Sequence, residues 1–97
     1  MTQPTFAEFE SRGRAAGFDE VIVREWPAQA VLATHSHGFD IDALVVRGEM
    51  WLGCNGQVQH LQAGDAFTLA RDLPHDERYG LDGATVWVAR RRAARSA

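Results

Sequence analysis

An all-β sandwich or small barrel behind one short helix is the fold class this sequence predicts, and three observations predict it. From Asp19 onward, apolar and polar residues alternate with a period of two, the pattern of half-buried strands. Turn signals built on Gly, Asn, Asp and Pro recur roughly every eight to twelve residues, the spacing of short antiparallel strands. Helical stretches that would join parallel strands in βαβ units are missing, so a doubly wound parallel sheet is excluded.

The helix comes first. Thr5-Phe6-Ala7-Glu8 has the form of a capping box, with Pro4 ahead of it. Phe6, Phe9 and Ala16 fall on one side of a helix running to about Gly17, with Gly13 weakening it and Gly17 as its stop. The first strand covers 19–26 and is closed by Pro27, which cannot continue a central ladder. A second covers 30–37, and a third, 43–46, is apolar on both faces and ends at Arg47-Gly48. Cys54-Asn55-Gly56-Gln57 is the strongest hairpin signal, because Asn-Gly suits a type I′ turn. A two-residue loop there sets Trp51 opposite His60 and Leu52 opposite Gln59. Ala63-Gly64-Asp65 is a further turn, 66–70 a short strand, 71–74 a loop leading into His75, and 85–89 a closing strand. Arg90 to Ala97 reads as a solvated, partly frayed end. The total is about eight short strands.

Size and composition bound the function. Ninety-seven residues make one domain over 1–97, with a helix in 1–18, a β-barrel over 19–90 and a basic tail in 91–97. A net charge of −3 argues against nucleic acid as the main ligand. All ten basic residues are arginine, so Schiff-base chemistry and a lysine general base are excluded. Cys54 is the one cysteine, which excludes an internal disulfide and a thiolate cluster. No apolar run has membrane-spanning length and the N-terminus lacks a secretory pattern, so a cytoplasmic protein with no membrane partner is expected. Small sandwiches expose edge strands, so a homodimer is expected, with Trp26 and Trp87 as interface residues.

The candidate site is His35-Ser36-His37-Gly38-Phe39-Asp40-Ile41-Asp42. In a strand, positions two apart share a face, so the two imidazoles lie at the end of a row begun by Val31 and Ala33. From there they can converge on one ion at roughly 2.0–2.1 Å. By itself His-x-His is a weak motif, and its ordinary alternative is a pair of packed histidines.

The block from His35-Ser36-His37 to Gly48, taken with Gly64-Asp65 through Pro74-His75, resembles the two conserved motifs of the cupin superfamily. The resemblance covers roughly residues 28–90 and extends to small single-domain, effector-binding-type cupins. Ala70 and Asp72 depart from it, standing where proline and glycine are common. It implies a double-stranded β-helix, or jelly-roll barrel, with ligands in the barrel mouth. It also implies a divalent transition metal (Zn, Fe, Mn or Ni) on His35, His37 and His75. The family's fourth ligand falls at Ile41, which cannot bind metal. Asp40 is the chosen substitute, and Asp42, or three histidines and water, are the alternatives.

Other polar residues carry less. His60 reads as packed or at the surface, and Tyr79 as a half-buried tyrosine able to line the pocket. The resemblance implies either a metal-dependent dioxygenase or isomerase acting on a small molecule, or a non-catalytic small-molecule-binding or sensor cupin. A metal that only stabilises the domain is a third reading.

Overall fold

Residues 3–92 are described by the structure, a computed structural model of the chain. A helix, α1 (Phe6–Ala15), precedes six strands. These are β1 (Glu20–Trp26), β2 (Val31–His35), β3 (Asp40–Cys54), β4 (Gln57–Gln62), β5 (Ala66–Leu69) and β6 (His75–Arg91). Eight short strands were expected; the difference lies in β3 and β6, which each run on through a bend and serve two layers.

In the first layer, 40–48 of β3 pair with 84–91 of β6, and β5 and β1 flank them. Beyond the bend, 50–54 of β3 pair with 75–79 of β6, now flanked by β4 and β2. Every pairing is antiparallel. The bend is a glycine crossing. Gly48 and Gly83 both have positive φ, a Cβ on Gly48 would collide with the Gly83 carbonyl oxygen, and one on Gly83 would strike that of Trp26.

The two layers enclose one core. Ala43, Val45, Leu69, Val86 and Val88 come from the first, and Met50, Leu52, Leu61 and Tyr79 from the second. The chain is therefore a small antiparallel β-barrel behind a short helix.

Local chemistry explains the ends. Asn55 and Gly56 both have positive φ, as a type I′ turn requires, and Trp51 does face His60 and Leu52 Gln59. Thr5 caps α1: its hydroxyl accepts from Glu8 N, and Glu8 Oε1 accepts from Thr5 N. At the other end Phe18 N donates to Gly13 O and Gly17 N to Arg14 O, the Schellman pattern around a left-handed Gly17.

Phe6 and Phe9 pack on Trp87, with ring centroids 5.4 and 5.8 Å away. The buried face continues through Gly13, where a Cβ would press on Ala89 and Val21, and Ala16 is exposed instead. Gly13 weakens the helix but lets it lie close on the sheet.

Trp87 packs under α1 and Trp26 stacks on Tyr79 at 4.9 Å. Two expectations need correction. Arg90 and Arg91 belong to β6, and Arg90 to Arg92 pair within the chain, with Glu20, Asp40 and Asp19. Residues 93–97 of the expected tail lie outside the described residues. Val31 and Ala33 do not share a face with His35. Leu32 pairs with Glu77 and His35 with His75, so β2 carries one extra residue there. This β-bulge turns Leu32 and His35 to the same side and leaves Val31 71% exposed.

Candidate metal centre and ligand pocket

His35, His37 and His75 converge, with one ring nitrogen of each lying within 4.8 Å of the others. His35 closes β2 after the bulge, His37 follows in the loop, and His75 opens β6 directly across from His35. The Asp72 N–H donates to His37 O, tying that loop to the one that delivers His75.

The rings are held by the backbone. His35 Nδ1 lies 2.7 Å from Ala33 O and His75 Nδ1 lies 2.9 Å from Leu73 O. A carbonyl only accepts, so both Nδ1 atoms carry the proton and both Nε2 atoms keep a lone pair in the neutral ring. Fixing one ring nitrogen so that the other can bind is the usual outer-shell arrangement of a metal-binding imidazole. His75 is 2% exposed and its Nε2 makes no hydrogen bond, an orphaned buried atom facing the cluster. Burial, then the neighbouring His35 and His75 rings, holds the His37 pKa below its ordinary value and favours the neutral, ligating form. The donor set therefore fits a borderline transition metal.

Asp40 is not part of this group. The alternation that turns Ile41 into the pocket turns Asp40 and Asp42 away. Asp40 Oδ1 accepts from Arg71 N at 2.8 Å and Oδ2 from Arg91 Nε at 3.3 Å, so the carboxylate ties β3 to the β5–β6 loop and to β6. Burial pushes the Asp42 pKa up.

The acidic residue that does face the histidines is Glu77, which the sequence reading missed. Its Oε2 lies 3.3 Å from His35 Nε2 and 3.5 Å from His75 Nε2. The Tyr79 hydroxyl donates to its other oxygen. Counting by two from His75 along β6 gives Glu77 and Tyr79 on one face, and that count was the available signal.

Around the cluster lies a cavity of about 120 Å³. Its apolar wall includes Trp26, Ile41, Phe67, Leu69, Val86 and Val88, and Arg24 and Arg90 also border it. Arg90 Nε is buried without a hydrogen-bond partner, although its Nη1 reaches Glu20 at 3.2 Å. His60 stands apart, stacked on Trp51 and bonded to Glu49. Gly64-Asp65, part of the family resemblance, works as a turn: Asp65 Oδ2 accepts from Gln62 N, and Val45 O accepts from Gly64 N.

Comparison with known proteins agrees with this architecture. The family model described as the AraC-like ligand binding domain matches residues 20–88. A protein of unknown function from Rhizobium leguminosarum bv. viciae superposes with a TM-score of 0.72 at 15% identity, over 96% of this chain and 98% of that one. KdgF from Halomonas sp. gives 0.64 at 23% identity, over 75% and 68%. The cupin domain of Schizosaccharomyces pombe Cnp3 gives 0.67 at 14% identity, over 73% of this chain and half of that one. A fourth, from a study of DMSP lyases, gives 0.68 at 22% identity, and there the chain spans 73% of itself and only 37% of the other. Comparison with curated protein sequences finds no match.

Proposed function

The chain belongs to the AraC-like ligand-binding domain family, within the cupins, and from that premise we propose that it holds a divalent transition metal on His35, His37 and His75 and presents it to a small molecule in the barrel. One observation carries the reading. The buried Nε2 of His75 has no hydrogen-bond partner and faces two further imidazoles within ligating reach. A native structure leaves such an atom unsatisfied at a cost of about 1–3 kcal/mol unless something binds it.

The pocket defines the ligand's character. Its apolar walls suit a compact hydrocarbon body, and about 120 Å³ suits a molecule of roughly benzene size. The unpartnered Arg90 Nε and the Arg24 guanidinium suit an anionic end. A metal bound here would act as a Lewis acid on a chelated oxygen or bring dioxygen next to it. The chain's own residues orient the rings through Ala33 O and Leu73 O, exclude water with the Phe67–Leu69 wall, and hold a proton on the Tyr79 hydroxyl. That set favours a metal-dependent dioxygenase or isomerase. The second reading, a non-catalytic sensor of the same ligand, is favoured by the family description. Cytoplasmic location and pairing of two copies through edge strands belong to this proposal as well; among the described residues, no helix is long and apolar enough to cross a membrane.

The test is elemental analysis of untagged protein purified without chelators, beside a His37→Ala variant. About one equivalent of transition metal in the first and much less in the second is expected. Metal in neither, or equal metal in both, removes the site from these histidines. Oxygen uptake and product analysis with small carboxylic acids, diketones and catechols then separate enzyme from sensor.

A further inference from the structure

We propose that Glu77 supplies the fourth protein ligand of this centre, taking over from β6 the place that Ile41 leaves empty on β3. The proposal rests on the three-histidine reading above and says what completes it.

The argument is electrostatic. Both Nδ1 protons of His35 and His75 point at backbone carbonyls, so in the neutral rings both Nε2 atoms present lone pairs. Glu77 Oε2 stands 3.3 and 3.5 Å from those two atoms. Three lone-pair-bearing atoms at that separation repel unless a cation lies among them. A proton shared by His35 Nε2 and Glu77 would relieve that one pair, but it would leave the buried His75 Nε2 without a partner. A divalent ion held among them, at the usual distance of about 2.0–2.2 Å from each ligand, would satisfy all three atoms together, with His37 as the third imidazole of the histidine cluster.

The surroundings keep Glu77 in that role. Its side chain is 12% exposed, and Tyr79 donates to Oε1, which leaves Oε2 turned to the histidines. Ile41, at the expected ligand position, instead joins the apolar wall. Three neutral imidazoles and one carboxylate leave a divalent centre with a net charge of about +1, which favours an anionic ligand beside Arg24 and Arg90.

The test titrates chelator-stripped, untagged full-length protein with cobalt(II), followed by visible absorption and equilibrium dialysis. Glu77→Gln is expected to weaken binding by at least about tenfold and to change the ligand-field bands. Asp40→Asn is expected to stay within about twofold of wild type. A folded Glu77→Gln protein with wild-type affinity and bands overturns the proposal and leaves the three-histidine site standing. Wild-type protein that binds no cobalt, or His37→Ala protein that binds it equally, overturns the three-histidine reading and Glu77 with it. If Glu77→Gln does not fold, a crystal structure of the cobalt-loaded wild type decides. An Oε2–metal distance of about 2.0–2.2 Å supports the assignment, and one beyond about 3 Å overturns it.

Discussion

Replacing Tyr79 by phenylalanine isolates the bond that orients Glu77. Tyr79 is 3% exposed and its ring stacks on Trp26 with centroids 4.9 Å apart, so phenylalanine keeps the packing and removes only the oxygen. What is lost is one hydrogen bond from the Tyr79 hydroxyl to a carboxylate that is largely shielded from water. Hydrogen bonds to charged groups contribute about 1.5–3 kcal/mol. For a domain of this length each kcal/mol moves the melting temperature by about 4–8 °C, so the expected drop is about 6–24 °C. Urea unfolding of the metal-free protein at neutral pH measures the free energy, and a cycle with Glu77→Gln tests its origin. The double variant should be less destabilised than the sum of the two single ones. A Tyr79→Phe loss below about 0.5 kcal/mol, or strict additivity in the cycle, would refute the reasoning.

Three further outcomes follow from the geometry. Gly83→Ala combines a left-handed backbone with a Cβ driven into the Trp26 carbonyl oxygen, and should destabilise the fold by about 2–5 kcal/mol in urea unfolding. Thr5→Ala removes the capping box and should lower stability by about 0.5–2 kcal/mol while cobalt affinity stays unchanged, since α1 packs on Trp87 and Ala89, away from the histidines. The lowered His37 pKa means the unfolded chain takes up that proton near pH 6.5 while the folded chain waits for a lower pH. The unfolded state then binds more protons in that window, so metal-free stability should fall as the pH drops below about 6.5. A His37→Asn variant measured beside wild type at pH 7.5 and 5.5 should lose less, and an equal loss in both would show that another group is responsible.

Local signals carried most of the fold into the sequence. The capping box at Thr5, the left-handed Gly17 and the Asn55-Gly56 turn each involve neighbours in the chain, and each stands where the residue types place it. The histidine cluster was legible because two blocks pointed to the same barrel mouth. Long-range features were not. A glycine that bends a continuous strand looks like one that ends it, so Gly48 and the Gly80–Gly83 stretch made two long strands read as several short ones. The bulge between Leu32 and His35 has no residue signature in β2, since it follows from pairing with β6. Asp40 was chosen because it lies in the irregular stretch before the strand settles, whereas its partners Arg71 and Arg91 are brought to it only by folding.

Whether the metal builds the fold or only occupies it can be argued from the same contacts. The His35 and His75 rings are set by Ala33 O and Leu73 O, and Glu77 by Tyr79, all contacts within the chain itself. Beneath them lies a core that includes Val45, Met50 and Leu52, each at most 2% exposed and drawn from both layers. A domain so packed does not depend on the ion in the way a zinc finger does. Chelation should therefore leave the far-ultraviolet circular dichroism unchanged and lower only the melting temperature. Restoring metal to a free concentration of a hundred times Kd should return about 2.7 kcal/mol, or about 11–22 °C. Loss of the β spectrum on chelation would reverse the conclusion and make the metal a structural element, with the histidines serving folding rather than a ligand in the pocket.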